Sequence, residues 1–185
     1  MRAHIAGCAL ELFRSDGYAG VSMRRLAGSA GCTPMTLYKY FENKFEILQL
    51  IWADVFVELF DALDAVVAVE TDPVARLDAL AEGYVDFWLE HRDHYFLVFM
   101  SSGITQDDVS LFMGDASVIS RFDLFARAVA EVLGVDADPD LLRVRSEVLI
   151  CGLNGVAQAL VTMSGYPWAD TSSLVRGVTA GATAP

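Results

Sequence analysis

The sequence predicts an all-α protein, with a small N-terminal domain of three helices followed by a larger helical domain. Apolar residues recur at steps of three and four along most of the 185 residues, which is the period of an amphipathic helix. No stretch of β-branched residues alternates strictly with polar ones, as a half-buried strand would. Three short helical segments, separated by glycine-containing turns, occupy the N-terminal quarter. Hydrophobic residues make up 54% of the chain, which is enough to form a core and argues against disorder.

The three short helices are delimited by capping residues and glycines. The first covers residues 5–14 and is stopped by Gly17. Ser22 can cap a second helix that runs to residue 30, because its hydroxyl can accept a hydrogen bond from a backbone N–H of the first turn. Thr33, followed by proline, starts a third helix over residues 34–41. Two short helices joined by a glycine turn form a helix-turn-helix pattern.

The rest of the chain is predicted to form longer apolar helices. The predicted spans are 44–69, 74–90, which continues through or restarts near His94, 111–133, 141–163 and a weak final helix at 172–182. We expect a helix-turn-helix domain over residues 1–46 and a helical regulatory domain over residues 47–185.

The basic residues are concentrated near the N-terminus. The net charge of the chain is −12, which by itself argues against a nucleic-acid partner. Residues 1–50, however, carry six Lys and Arg against four Asp and Glu, whereas the other 135 residues carry seven against 21. Both lysines of the chain, Lys39 and Lys44, lie in this segment. The N-terminal domain can therefore contact phosphates while the acidic body stays away from them.

Composition and motifs argue against several other classes of protein. The three cysteines are odd in number and lack CxxC spacing, which suits reduced thiols in the cytoplasm better than disulfides. We find no signal peptide, and the longest apolar window, residues 148–163, is too short and too interrupted by amides to span a membrane. His91 and His94 have no further ligands at zinc spacing, so we predict no metal, no cofactor and no catalytic residue.

The exposed side of the third helix carries residues suited to reading DNA, because a helix fits the major groove. We expect Met35 and Thr36 to contact thymine methyl groups and Lys39 to donate to guanine, while Leu37 and Phe41 turn inward. The candidate DNA-binding residues, including Tyr40 and Lys44 for phosphate, are Ser22, Arg24, Arg25, Thr33, Met35, Thr36, Tyr38, Lys39, Tyr40 and Lys44. The alternative is a helical hairpin with a solvated basic face.

One long stretch resembles the DNA-binding domain of the TetR (tetracycline repressor) family. The stretch is ALELFRSDGYAGVSMRRLAGSAGCTPMTLYKYFENKFEIL, and the matching residues are Ala9, Leu12, Phe13, Gly17, Tyr18, Ser22, Leu26, Ala27, Ala30, Gly31, Thr33, Leu37, Tyr38, Tyr40, Phe41 and Lys44. The resemblance implies an all-helical homodimer that binds a palindromic operator. It also implies a small ligand in the C-terminal domain that relieves repression.

Two features depart from the pattern of that family. Arg25 stands where the family often has an acidic residue, so Ser22 should cap its helix without a reciprocal partner, and Arg25 should be solvated or face phosphate. Only Arg2 precedes the first helix, whereas family members often carry a longer basic arm that follows the minor groove. Either the shorter arm lowers the affinity for DNA, or the chain begins inside the natural protein.

The larger domain carries an aromatic stripe that could line a ligand cavity. Its members are Tyr84, Trp88, His91 and Tyr95, at steps of four, three and four residues. Ligand cavities are mostly apolar with a few placed polar groups, and amides on an apolar helix need partners. The candidate ligand-binding residues are Tyr84, Trp88, His91, Tyr95, Phe99, Phe122, Asn154 and Gln158. The alternative is ordinary core packing, with the two amides bonded to backbone groups or water.

Small residues on the helix at 141–163 provide a candidate dimer interface. Gly152, Gly155 and Ala159 fall on one stripe, where another helix can approach closely, and the final helix would be the second element of the interface. Asn154 and Gln158 lie roughly 110° around the helix from this stripe, so that one face can pair while the other lines the cavity. The stripe could instead pack within its own subunit.

The sequence thus predicts a cytoplasmic transcriptional regulator without enzymatic activity, a repressor released from a palindromic operator by a small-molecule ligand. Its expected partners are double-stranded operator DNA, an effector of unidentified chemistry and a second copy of the chain, with no membrane. Two alternatives stay open. One is a ligand-independent regulator or activator on the same fold, and the other is a ligand-binding helical protein that does not bind DNA.

Overall fold

The protein is helical throughout the residues that the structure, a computed structural model, describes: 1–113, 118, 120–134 and 138–184. The helices are α1 (Arg2–Gly20), α2 (Met23–Ser29), α3 (Pro34–Tyr38), α4 (Lys44–Val67), α5 (Pro73–Glu90), α6 (Arg92–Phe99), α7 (Gln106–Met113), α8 (Asp123–Leu133), α9 (Pro139–Thr162) and α10 (Thr171–Thr183), with a 3₁₀ turn at Ser120–Phe122. No strand occurs in the described ranges, and the predicted all-α fold is confirmed.

The chain forms two compact units. Unit 1 consists of Met1–Val57 and Asp93–Val118, and unit 2 consists of Glu58–Arg92 and Ile119–Pro185. The division falls within α4. The functional boundary after residue 46 remains a prediction.

Side-chain caps begin the N-terminal helices where the sequence predicts them. Ser22 and Thr33 each accept a hydrogen bond from the backbone N–H three residues later, at 3.3 and 3.1 Å. The side-chain oxygen of Asn43 accepts from the backbone N–H of Glu46 at 2.9 Å, at the start of α4. Each cap satisfies an amide that has no partner within the helix and typically contributes about 1 kcal/mol.

Helix α1 is interrupted at Gly17, where φ is 72° and ψ is 155°. The first part of the helix therefore ends there, and a short helical segment continues to Gly20. This backbone region is open to glycine and strained for residues with a Cβ atom. The predicted stop at Gly17 is confirmed, although the helix begins at Arg2 rather than at residue 5.

Two predicted spans are wrong. The span 111–133 is not one continuous α-helix, because Ser120–Phe122 form a 3₁₀ turn and α8 begins at Asp123, while residues 114–117 and 119 lie outside the described part of the chain. The carboxylate of Asp123 lies in the first turn of α8, where it favours a helix start through the dipole, and the apolar periodicity obscured this signal. Helix α3 ends at Tyr38, three residues earlier than predicted.

The core of unit 1 is built from the apolar faces of the N-terminal helices. Leu37 and Phe41 are 0% and 1% exposed, which confirms that they turn inward. Further along α4, the indole of Trp52 donates a hydrogen bond to the carbonyl of Leu97 at 3.3 Å and packs edge-on against Phe112 at 5.1 Å. These contacts fix α6 and α7 against α4 within the same unit.

Helix α5 packs against α8, α9 and α10 in unit 2. The final helix α10 was predicted to be weak, yet Asp170 caps it and Val175, Thr179 and Ala182 are buried. Helix α9 is long and apolar enough to span a membrane by length and composition, with a mean hydropathy of 1.2. In the structure, its inner face packs against the other helices of unit 2.

The positive φ of Gly17 leads to a testable prediction. Gly17→Ala should lower the free energy of unfolding by about 1–3 kcal/mol, because a Cβ atom is unfavourable at a φ of 72°. Gly7→Ala is the matched control in the same helix: nothing lies within 4 Å of the added Cβ, so it should stabilise the protein by about 0.5–1 kcal/mol. Urea unfolding followed by circular dichroism measures both. Equal effects of the two substitutions would contradict the strain.

Candidate nucleic-acid interface and ligand site

The turn between α2 and α3 fixes the relative placement of these two helices. Gly31 has a φ of 65°, and the N–H of Cys32 donates to the carbonyl of Ala27 at 2.9 Å. Leu26 and Leu37 are fully buried. Because both inner faces are held by packing, the opposite face of α3 remains on the surface.

The outer face of α3 is exposed as the sequence predicts. We call Met35, Thr36, Tyr38 and Lys39 the reading face. Met35 is 77% and Tyr38 55% exposed, Lys39 is exposed, and Thr36 is half-buried. Such exposure of large apolar side chains suits contact with thymine methyl groups and sugar rings.

Thr33 acts on the reading face indirectly. Its Oγ1 lies 3.0 Å from the Oγ1 of Thr36 and also accepts the N–H of the same residue. The side chain of Thr33 is therefore occupied by capping, and it holds the Thr36 hydroxyl on the start of α3. A direct contact of either residue with DNA remains a prediction.

The two lysines occupy different environments. Lys39 is exposed at the end of α3. The ammonium of Lys44 donates to the carbonyls of Tyr18 and Val21, at 2.5 and 2.9 Å, and lies 4.0 Å from the centre of the Tyr18 ring. Burial lowers the pKa of Lys44, and burial together with the charge of Asp108 raises the pKa of Tyr18 to about 12. Lys44 thus joins the start of α4 to the end of α1, in addition to any contact with phosphate.

The arginines near the helix-turn-helix also form ion pairs. Arg25, which was expected to be solvated or to face phosphate, is exposed and forms an ion pair with Asp16 at 2.5 Å. Asp16 lies directly before the interruption of α1, so the pair ties α2 to α1. Arg24 is exposed, as a phosphate contact requires. Arg2 donates to the carbonyl of Tyr40 and pairs with Glu46 at 3.2 Å, which holds it against unit 1.

An ionic link between α1 and α6 in unit 1 was not predicted from the sequence. The guanidinium of Arg14 lies 2.6 Å from the carboxylate of Asp93 and donates to the ring of His94 at 2.9 Å. It also pairs with Glu11, one turn earlier, at 3.3 Å. Arg14 and Asp93 line a cleft of about 370 Å³ that also includes Phe96 and parts of both helices. A pairing between residues 79 positions apart has no local signal in the sequence.

The predicted ligand-binding residues do not form one stripe. Helix α5 ends at Glu90 and His91 leaves the helical conformation, so that α6 starts a new element at Arg92. Tyr95 and Phe99, whose rings lie 4.8 Å apart, belong to unit 1. The other six candidates belong to unit 2.

In unit 2, Tyr84 and Asn154 meet directly. The hydroxyl of Tyr84 donates to the side-chain oxygen of Asn154 at 2.8 Å, and the amide of Asn154 donates to the carbonyl of Ile150 at 3.1 Å. Tyr84 and Trp88 are 1% and 0% exposed, and Tyr84 packs edge-on against Phe125 at 5.5 Å. These residues form a closed aromatic core rather than the wall of an open cavity.

Three other candidates lie at the edge of this core. Phe122 is half-buried, with its ring 5.0 Å from that of Phe60. The His91 ring lies 4.5 Å from that of Phe87. Gln158 is exposed on α9, so its predicted place facing a cavity is not the one observed. The amide spacing of four residues placed Asn154 and Gln158 on one side, but only Asn154 is turned far enough inward to reach Tyr84.

The predicted dimer stripe divides into two environments. A Cβ atom on Gly152 would lie 2.5 Å from the side chain of Val178, so this glycine allows α10 to pack on α9 within one chain. For Gly152, the alternative of packing within the subunit is therefore correct. Gly155 has nothing within 4 Å of an added Cβ and is exposed, while Ala159 is half-buried. Only Gly155 is fully available to a partner.

Comparison with known proteins identifies the N-terminal region. Residues 7–51 match the family described as bacterial regulatory proteins, tetR family. The chain is also 26% identical, over 129 residues, to the HTH-type transcriptional activator FasR of Mycolicibacterium smegmatis. That match covers 68% of this chain and 59% of the relative, so the chain spans about three-fifths of the length of that protein.

Solved structures share the fold over nearly the whole chain. The transcriptional regulator FadR from Bacillus subtilis, in complex with stearoyl-CoA, has a TM-score of 0.76 at 13% identity and covers 100% of this chain and 98% of its own. The fatty acid degradation regulator FadR from Bacillus halodurans has a TM-score of 0.75 at 17% identity, covering 99% and 94%. A protein of unknown function from Rhodococcus sp. RHA1 reaches 0.72 at 26% identity, covering 98% and 93%. Residues 7–51 thus match the tetR family of bacterial regulatory proteins, and the whole chain shares the helical fold of these solved structures.

Proposed function

We propose that this chain is a DNA-binding transcriptional regulator, a cytoplasmic repressor that leaves a palindromic operator when it binds a small-molecule ligand. The observation that carries the proposal is the reading face of α3, whose apolar and basic side chains are exposed within a helix-turn-helix of the tetR family. Activation is the second candidate, because the relative from Mycolicibacterium smegmatis is an activator.

The geometry of α3 supports entry into the major groove. The helix has five residues, so it is about 7.5 Å long at 1.5 Å per residue and fits a groove about 12 Å wide. Met35 and Lys39 lie one turn apart, as residues i and i+4, so that both can reach base edges from one docking position. The acidic charge of the rest of the chain disfavours other contacts with the duplex.

Substitutions on the reading face should affect the operator selectively. Thr36→Ala or Lys39→Ala should weaken binding to the DNA upstream of the chain's own gene by about 1–3 kcal/mol, with little effect on unrelated DNA. Lys44→Ala should weaken binding to both DNAs equally and reduce the salt slope by about one unit per half-site. Gel-shift titrations at several salt concentrations measure these effects.

The matched control for these substitutions removes one exposed positive charge far along the chain. Arg143→Ala on α9 should leave both DNA affinities unchanged, since Arg143 is exposed far from the reading face in the sequence and pairs with Glu147 on the same helix at 3.0 Å. An upstream fragment that binds no better than unrelated DNA would contradict the proposal. Equal losses from Arg143→Ala and Lys39→Ala would remove the reading face from the interface.

A long-chain acyl thioester is the ligand class that we propose. The regulator from Bacillus subtilis with this fold binds stearoyl-CoA. The aromatic residues of unit 2 supply an apolar environment, and the Tyr84–Asn154 pair supplies a polar group within it. Because these side chains are closed against one another, an acyl chain must separate them, and the bound and free conformations must differ.

Stearoyl-CoA should therefore raise the melting temperature of the protein and release it from the upstream DNA. At a concentration 100 times its Kd, the ligand would add about 2.7 kcal/mol to the stability. Asn154→Leu should weaken ligand binding at least tenfold, while Gln158→Leu, on the exposed side of the same helix, should not change it. Coenzyme A alone and stearate alone are the ligand controls. If neither the melting temperature nor the DNA complex responds to stearoyl-CoA, the ligand class is wrong.

We also propose a homodimer formed through the exposed face of α9. Leu141, Val144 and Val148 are 45%, 45% and 52% exposed at steps of three and four, and Gly155 continues the same stripe at the next two steps. An exposed apolar stripe of this kind suits helix–helix packing, and two half-sites require two reading faces.

Gly155→Leu should convert the dimer to a monomer and abolish operator binding, because the larger side chain would hold a partner helix away from α9. Gly7→Leu, at an equally open glycine on α1, should leave the sedimentation coefficient unchanged. Analytical ultracentrifugation gives the result, with circular dichroism to show that both variants are folded. A Gly155→Leu variant that still sediments as a dimer would place the interface elsewhere.

A further inference from the structure

The side-chain amines of this chain are confined to the proposed DNA-binding domain. Of 13 basic residues only Lys39 and Lys44 are lysine, and the remaining 135 residues after position 50 carry arginine alone. Guanidinium groups keep their proton near neutral pH and therefore do not act as nucleophiles. A lysine amine becomes a nucleophile once it is deprotonated. An electrophile that acylates amines therefore has two side chains to attack, besides the α-amino group of Met1.

Lys44 is protected by its contacts. Its Nζ donates to two carbonyl oxygens, at 2.5 and 2.9 Å, and its third side is covered by the ring of Tyr18 at 4.0 Å. Burial lowers the pKa of Lys44, which increases the neutral fraction of this amine. Attack would nevertheless require the amine to leave both acceptors, and the carbonyls of Tyr18 and Val21 would then lose this donor. These contacts therefore hinder acylation of Lys44 even though its pKa is lowered.

Lys39 has none of these constraints. It is exposed at the end of α3, and none of the hydrogen bonds or ion pairs among the described residues engages its amine. It is also the only basic side chain on the reading face. The accessible lysine amine of the chain thus coincides with the cation expected to approach base edges.

We propose that Lys39 is an acylation site for acyl thioesters, and that its modification switches off DNA reading. The neutral Nζ attacks the thioester carbonyl carbon, an amide C–N bond forms, and the C–S bond breaks. The leaving thiolate takes up the proton lost by the amine, so no oxidant, reductant or further reactant is needed. The acylated side chain has no charge and only one N–H donor.

The consequence for DNA rests on the proposed function. A dimer would lose two cations from its reading faces and gain two acyl groups at the surface that enters the groove. Loss of one good base contact typically weakens discrimination by about 5- to 150-fold. A modification at Lys39 should therefore lower operator affinity at least tenfold. Residues 51–185 contain no lysine, so acylation of a lysine in that part of the chain cannot contribute to the change in DNA affinity.

The experiment uses the full chain with acetyl-CoA as the acyl donor at pH 8, followed over time by peptide mass mapping. Lys39 should be acetylated at least ten times faster than Lys44 in the folded protein. In 8 M urea the two rates should converge, since the contacts of Lys44 are then lost. Faster or equal modification of Lys44 in the folded protein would overturn the assignment of the site.

DNA binding of the acetylated protein tests the second half of the proposal. Acetylation should lower the affinity of the unaltered chain for the upstream fragment at least tenfold. The Lys39→Arg variant should bind this fragment equally well before and after the same treatment, whatever its untreated affinity, although its N-terminal amine is still acetylated. If acetylated and untreated chains bind equally, the switch is refuted. If the untreated chain binds no DNA while Lys39 is still selectively acetylated, the proposed function fails but the assignment of the reactive amine stands.

Discussion

The ammonium of Lys44 and the two carbonyl groups that it holds are the contact on which the arrangement of the N-terminal domain depends. Helix α1 ends at Gly20, and the carbonyls of Tyr18 and Val21 lie at this end, where no further helical turn follows. Lys44, at the first residue of α4, donates to both of them at 2.5 and 2.9 Å. Helices α2 and α3 lie in sequence between the two ends joined by this contact. Their caps and buried leucines set their own geometry, while Lys44 closes the loop that carries them.

Several of the basic residues in the N-terminal domain are held in contacts within unit 1, and others are exposed. Arg2, Arg14 and Arg25 are each paired with a carboxylate in unit 1, and Lys44 is bound to carbonyls. Arg24 and Lys39 are left with exposed side chains. The positive potential available to phosphate is therefore smaller than the count of basic residues suggests. Its placement on α2 and α3, rather than its size, is what favours a role in DNA binding.

Local signals in the sequence predicted much of the fold, whereas pairings between residues far apart in the sequence could not be predicted from such signals. Ser22 and Thr33 were correctly placed as caps because capping involves groups three residues apart. The inward turn of Leu37 follows from helical period and is equally local. The link between Arg14 and Asp93 joins separate helices, and only tertiary packing decides it.

The candidate site shows the same division. Exposure of Met35, Tyr38 and Lys39 was predictable, because the buried side of a short amphipathic helix defines its opposite face. The predicted aromatic stripe failed at His91, where the helix ends, and Gln158 is outside the core because rotation around α9 separates it from Asn154. Periodicity gives an angle around one helix, but it does not say which neighbouring helix, or whether solvent, lies in that direction.

The contact between Gly152 and Val178 makes these two positions a single steric unit. The missing side chain on α9 is filled by the isopropyl group from α10, so the volume belongs to the pair rather than to either residue. Variation in related sequences would then be coupled: a larger residue at one position would be tolerated only with a smaller one at the other. The distance between the backbones of α9 and α10 is set by this shared volume. A valine at position 152 together with a glycine at position 178 would preserve the spacing of the two helices, and the side chain would then come from α9 instead of α10.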